Sequence, residues 1–84
     1  MRGRVQGVGF RAFAQRQAQA RRCNGFVRNG ADGSSVDVVA EGVRESVVDL
    51  LEALWRGPRL SHVSGVDVQW LPATGEFVGF SVRD

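Results

Sequence analysis

Two periods of apolar residues run along this chain. Phe10, Phe13, Ala14 and Ala18 recur at helical spacing on one narrow stripe and predict a helix over residues 10–22. The rest of that segment is Ala, Gln and Arg, all fair helix formers. Its arginine-rich last turn suits the negative end of the helix dipole, and Asn24-Gly25 reads as its stop. Residues 26–29 predict a short strand and residues 35–40 a second, with Val36, Val38 and Ala40 alternating against Asp37. The turn between them, residues 30–34, has Asp and Gly to supply its geometry, so the pair reads as a hairpin.

Residues 43–56 give the clearest helix. Val43, Val47, Leu50, Leu51 and Leu54 share one face, Arg44, Glu45, Asp49 and Glu52 lie largely off it, and Gly57-Pro58 stops it. Residues 63–70 alternate Val66, Val68 and Trp70 against Asp67 and Gln69, as a half-buried strand does. Residues 72–75 turn the chain. Residues 76–83 predict a last strand, with Val78, Phe80 and Val82 on one side and Gly79 and Ser81 on the other.

Ahead of the first helix lies a glycine-rich loop, residues 3–9, giving the order loop–α–β–β–α–β–β. With a strand before the loop, this is an α/β (α+β) ferredoxin-like βαββαβ two-layer sandwich with an extra C-terminal strand. Only Met1-Arg2-Gly3 stands there, so the first strand is expected to be largely missing; a misplaced start or a trimmed chain would explain it.

Composition narrows the picture. The 84 residues make one domain, residues 1–84. A domain of this size buries only roughly 60–65% of its unfolded surface, too little for a two-domain enzyme or a full dinucleotide-binding sheet. No apolar run approaches the ~18–20 residues of a membrane span, and no secretory signal is visible. The lone cysteine, Cys23, excludes an internal disulfide and an all-thiolate metal site, and fits the cytoplasm. Residues 1–31 carry seven arginines and no acid; residues 32–84 carry four arginines and all nine acids. The N-terminal third is therefore expected to face an anion.

Backbone N–H groups of a glycine-rich turn converge on one point, and a following helix N-terminus adds partial positive charge. Arg11, in the first turn of that helix, can fork onto phosphate oxygens. The competing reading is a plain strand-to-helix turn. Gly7-Val8-Gly9-Phe10-Arg11-Ala12, with Asp32 beyond it, fits a dinucleotide pattern, but a hairpin follows where a parallel strand is needed. Residues 6–13 partly echo an RNA-recognition octamer, which belongs on a strand and not at a helix start. Cys23 precedes Arg28 by one position too few for a cysteine phosphatase and reads as a helix-end packing residue. Asn29 alone reads as a turn-initiating asparagine, and His62 as surface. The acids are scattered, so no metal cage is expected.

The run Gly3-Arg4-Val5-Gln6-Gly7-Val8-Gly9-Phe10-Arg11 resembles the first signature of the acylphosphatases, G-R-V-Q-G-V-x-F-R. At matching spacing, Gly25-Phe26-Val27-Arg28-Asn29 resembles the second, G-W/F-V-R/K-N. Asp32-Gly33, Ala40-Glu41-Gly42, Gly57-Pro58 and Gly75-Glu76-Phe77 fall where that family has similar residues, so the likeness spans essentially the whole chain. The resemblance implies the ferredoxin-like sandwich and hydrolysis of acyl phosphates to a carboxylate and inorganic phosphate, without metal or cofactor. It implies that Arg11 binds the phosphoryl group with backbone N–H groups of Gln6, Gly7, Val8, Gly9 and Phe10, and that Asn29 orients the attacking water through its side-chain amide. The expected partner is a small acyl phosphate, with no nucleic acid or membrane, and the expected state is a monomer. The departures from the family are the short first strand, Arg21-Arg22 in place of Leu-Gly, and a hairpin one residue longer, which suggests a bulge.

The chemistry agrees. Phosphoryl transfer through a loose transition state needs mainly positioning and charge stabilisation. A carboxylate leaving group has a conjugate-acid pKa of about 4 and departs without a general acid. Two alternatives stand beside this reading: a non-catalytic phosphate- or RNA-binding module of the same fold, and a detached acylphosphatase-like domain of a carbamoyl-transfer maturation protein. A binding module needs the arginine but has no use for an asparagine that holds water.

Overall fold

The computed structural model describes residues 1–6, 9–58, 62–65 and 73–83. Its elements are β1 (Arg2–Arg4), α1 (Phe10–Ala20), β2 (Asn24–Asn29), β3 (Val36–Glu41), α2 (Arg44–Arg56), β4 (His62–Gly65) and β5 (Phe80–Arg83). β2 pairs antiparallel with β3 and parallel with β5. β1 pairs antiparallel with β4.

The abbreviated first strand keeps a central place with three residues. On the side away from β4, Arg2 bridges Ser35, and the Met1 amine and carbonyl exchange hydrogen bonds of 2.7 and 2.8 Å with Val36. The strands thus form a two-stranded ladder, β1-β4, and a three-stranded one, β3-β2-β5, and these Met1 and Arg2 links set β1 beside β3, giving the lateral order β4-β1-β3-β2-β5. Both helices pack on this sheet around a core of Val5, Phe10, Ala14, Ala18, Val27, Val36, Leu50, Leu54 and Phe80.

The helix α1 ends at Ala20, earlier than residue 22. Arg22 takes the left-handed conformation at φ 56°, the Arg22 N–H donates to the Gln19 carbonyl at 3.1 Å, and the Cys23 N–H to the Ala18 carbonyl at 2.9 Å. These two bonds make a Schellman stop, in which buried Cys23 packs back toward buried Ala18. Asn24-Gly25 opens β2 instead of closing the helix. The Arg21 guanidinium still serves the helix end, donating to the Gln17 carbonyl at 3.1 Å.

Three further expectations shift. Val43 precedes the first turn of α2 and stays 68% exposed, while Ala53 joins Leu50 and Leu54 in the buried stripe. β2 and β3 pair one-to-one from Asn24↔Glu41 to Asn29↔Val36, so the extra hairpin residue sits in the turn and not in a bulge. The final strand starts at Phe80: Gly79 has φ 74°, which breaks the extended run, and Val78 is 100% exposed. Of the strand expected over residues 63–70, Val66, Val68 and Trp70 lie outside the described residues.

Candidate active site

The helix α1 begins without a side-chain cap. Gly9, in the left-handed region at φ 76°, is its N-cap residue, and its carbonyl accepts the Phe13 N–H at 3.0 Å. The amides of Phe10, Arg11 and Ala12 precede the first intrahelical bond, and no acidic residue lies in the first turn. That end of the helix is therefore a positive pole.

Asn29 reaches the same place from the sheet. It closes β2 two residues after fully buried Val27, so both side chains point toward the helix layer. A pocket of about 230 Å³ forms there, lined by Val5, Gly9, Phe10, Arg11, Ala12, Asn29 and Val82. Arg11 is the one charged residue among these. Its Nη1 donates to the Arg83 carbonyl of β5 at 3.1 Å, and one turn along the helix Gln15 Nε2 donates to the Phe80 carbonyl at 3.1 Å. Asn29 Oδ1 is buried with no hydrogen-bond partner among the described residues.

Of the residues singled out in the sequence, Arg11, Asn29, Gly9 and Phe10 meet at this pocket. The Gln6 side chain turns to the hairpin, donating to the Gly30 carbonyl at 3.1 Å and the Ser35 carbonyl at 2.7 Å. Gly7 and Val8 lie outside the described residues. The pocket walls Val5, Ala12 and Val82 and the Arg83 carbonyl escaped the sequence reading. A backbone acceptor leaves no residue signature, and the apolar walls read as ordinary core.

Neighbouring charges are held by specific partners. The Ser34 N–H and Ser35 hydroxyl donate to Asp32 Oδ1 at 3.0 and 2.8 Å and hold its carboxyl below the usual range. Arg28 pairs with Asp37 at 3.3 Å on the outer face of the sheet, beside the Phe26 ring. Burial pushes the Cys23 thiol up, so it is an unreactive packing group. Among the described residues no cluster of three His, Cys, Asp or Glu side chains occurs, and no helix is long and apolar enough to cross a membrane.

Residues 1–82 match the sequence profile of the family Acylphosphatase. A relative named Acylphosphatase from Salinibacter ruber is 49% identical, over 96% of this chain and 84% of its own length. The crystal structure of acylphosphatase from Bacillus subtilis superposes with a TM-score of 0.93 at 36% identity, covering 99% of this chain and 91% of that one. The fold also recurs inside a larger protein, T. kodakarensis HypF, with a TM-score of 0.84 at 30% identity, over 98% of this chain and 11% of that one. With sequence and fold both matched from end to end, signature loop and second motif included, the chain belongs to the acylphosphatase family.

Proposed function

We propose that the pocket between α1, β2 and β5 is where this chain carries out the reaction of its family, hydrolysis of an acyl phosphate to a carboxylate and inorganic phosphate. The observation that carries the reading is a convergence. An arginine, an uncapped helix N-terminus and an asparagine with an unpaired amide oxygen line one small pocket.

In this reading the phosphoryl group sits at the start of α1. The Arg11 guanidinium grips two of its oxygens, and backbone N–H groups from Gln6 through Phe10 surround the rest. The Arg83 carbonyl holds the Arg11 side chain in place from behind. The unpaired Asn29 Oδ1 is the acceptor offered to the attacking water. A water donating to that oxygen relieves a buried unpaired acceptor, which otherwise costs about 1–3 kcal/mol. The water then attacks phosphorus in line. The new P–O bond forms, the bond to the acyl oxygen breaks, and the carboxylate leaves with the electron pair. Both water protons remain on the phosphate. The leaving group needs no proton, so the reading calls on neither a general acid nor a metal. We take the domain, residues 1–84, to act as a monomer in the cytoplasm. A nucleic-acid-binding role is not favoured.

The roles separate by mutation. Arg11→Ala should lower turnover of an acyl phosphate and affinity for inorganic phosphate together, each by roughly a hundredfold or more, the scale for losing one transition-state donor. Asn29→Ala should lower kcat by roughly a hundredfold while phosphate inhibition stays within about threefold of wild type. Equal loss of phosphate binding in the two variants would overturn the assigned roles.

A further inference from the structure

Gln6 stands at the entrance of the glycine loop, yet its side chain leaves the loop. Its amide nitrogen carries two hydrogens, and both have acceptors: the Gly30 carbonyl at 3.1 Å and the Ser35 carbonyl at 2.7 Å. These two residues bracket the β2–β3 turn, and the Gly30 N–H also donates to the Ser35 carbonyl at 2.8 Å. Gly30 directly follows Asn29, and Ser35 directly precedes Val36, the cross-strand partner of Asn29. One side chain therefore bolts the loop to both sides of the hairpin, one residue beyond the Asn29–Val36 pair.

We infer that Gln6 is a positioning residue, whose side chain fixes the register between the phosphate-holding loop and the Asn29 amide. The inference rests on the water-holding role proposed for Asn29. In-line attack requires the water and the phosphorus to meet at a set distance, and a shift of about 1 Å can cost a hundredfold in rate. The water belongs to β2 and the phosphorus to the loop and α1, which are distant in sequence. Gln6 joins them directly. The backbone N–H of Gln6 and its side chain thus do different work. The turn is stiffened for the purpose, because Asp32 ties Ser34 and Ser35 from inside it.

The test is a double-mutant cycle on Gln6→Met, which keeps the stem and removes both donors, and Asn29→Ala. Acyl phosphate turnover, inorganic phosphate inhibition and the thermal midpoint are measured for each variant. Gln6→Met should lower kcat roughly ten- to hundredfold with phosphate inhibition little changed. In the Asn29→Ala background the same change should lower kcat by no more than about twofold, since the register it sets no longer matters. Losses that multiply, or an unchanged kcat in folded Gln6→Met, would refute the coupling and leave the role of Asn29 standing. An unchanged kcat in Asn29→Ala would refute that role and the coupling with it. Should Gln6→Met not fold, Gln6→Glu decides. Its ionised carboxylate faces two carbonyl oxygens, while its protonated form donates to one. The ratio of its kcat to that of wild type should rise as pH falls, and a flat ratio would refute the inference.

Discussion

Gly25 shows how tightly single residues are constrained near the site. It is the second residue of the strand that carries Asn29, at φ 142°, and a β-carbon there would collide with the Val39 carbonyl oxygen. Gly25→Ala should therefore cost at least about 2 kcal/mol of stability, readable as a lower urea midpoint. A variant as stable as wild type would contradict the packing described for β2 and β3. Residue-scale features divided by how they are written. Arg11 and Asn29 were legible because each stands in a short motif at fixed spacing. The hold on Arg11 by the Arg83 carbonyl, and on the Gly30 and Ser35 carbonyls by Gln6, was not legible, because any residue supplies such an acceptor. Val78 was placed on one side of the last strand with Phe80 and Val82, but the glycine beside it turns the chain and leaves Val78 exposed.

At the scale of elements, residues 73–79, just before β5, form no helix or strand, yet they are clipped to the end of β3. The Thr74 N–H and hydroxyl donate to Glu41 Oε1 at 2.8 and 2.9 Å, and the Gly75 N–H donates to Oε2 at 3.2 Å. The Thr74 N–H is the main reason the Glu41 carboxyl lies below its ordinary value. Such a group stabilises the folded state above its unfolded pKa, about 4.3, and that stabilisation is lost as pH falls through the depressed folded value. The thermal midpoint should therefore fall in acid below about pH 4, and fall less steeply in Glu41→Gln. Equal acid slopes in the two proteins would mean that the clip is not made in solution. Asp32 contributes in the same direction. The clip is invisible to periodicity, which also placed β5 several residues early. α2 was the most legible element, because a long amphipathic stripe survives small errors at its ends.

Across the whole molecule, the uneven charge has resolved into separate tasks. Arg21 pairs with Asp49 of α2 at 2.7 Å, Arg28 with Asp37 at 3.3 Å, and Arg11 lines the pocket. The basic third that was expected to face an anion fits a field directed at one small dianion. The order of elements was legible from the sequence, and so was the shape of the sandwich. The first strand was expected to be largely missing; β1 and the Met1 backbone instead occupy the centre of the sheet. We propose that this fold, with Arg11 and Asn29 in one pocket, cleaves an activated phosphate without a metal. Steady-state hydrolysis of benzoyl phosphate by the folded protein, with and without a chelator, tests it most directly. The protein should turn the substrate over, inhibited competitively by inorganic phosphate and unchanged by the chelator. No turnover by folded protein, or its loss on chelation, would contradict it.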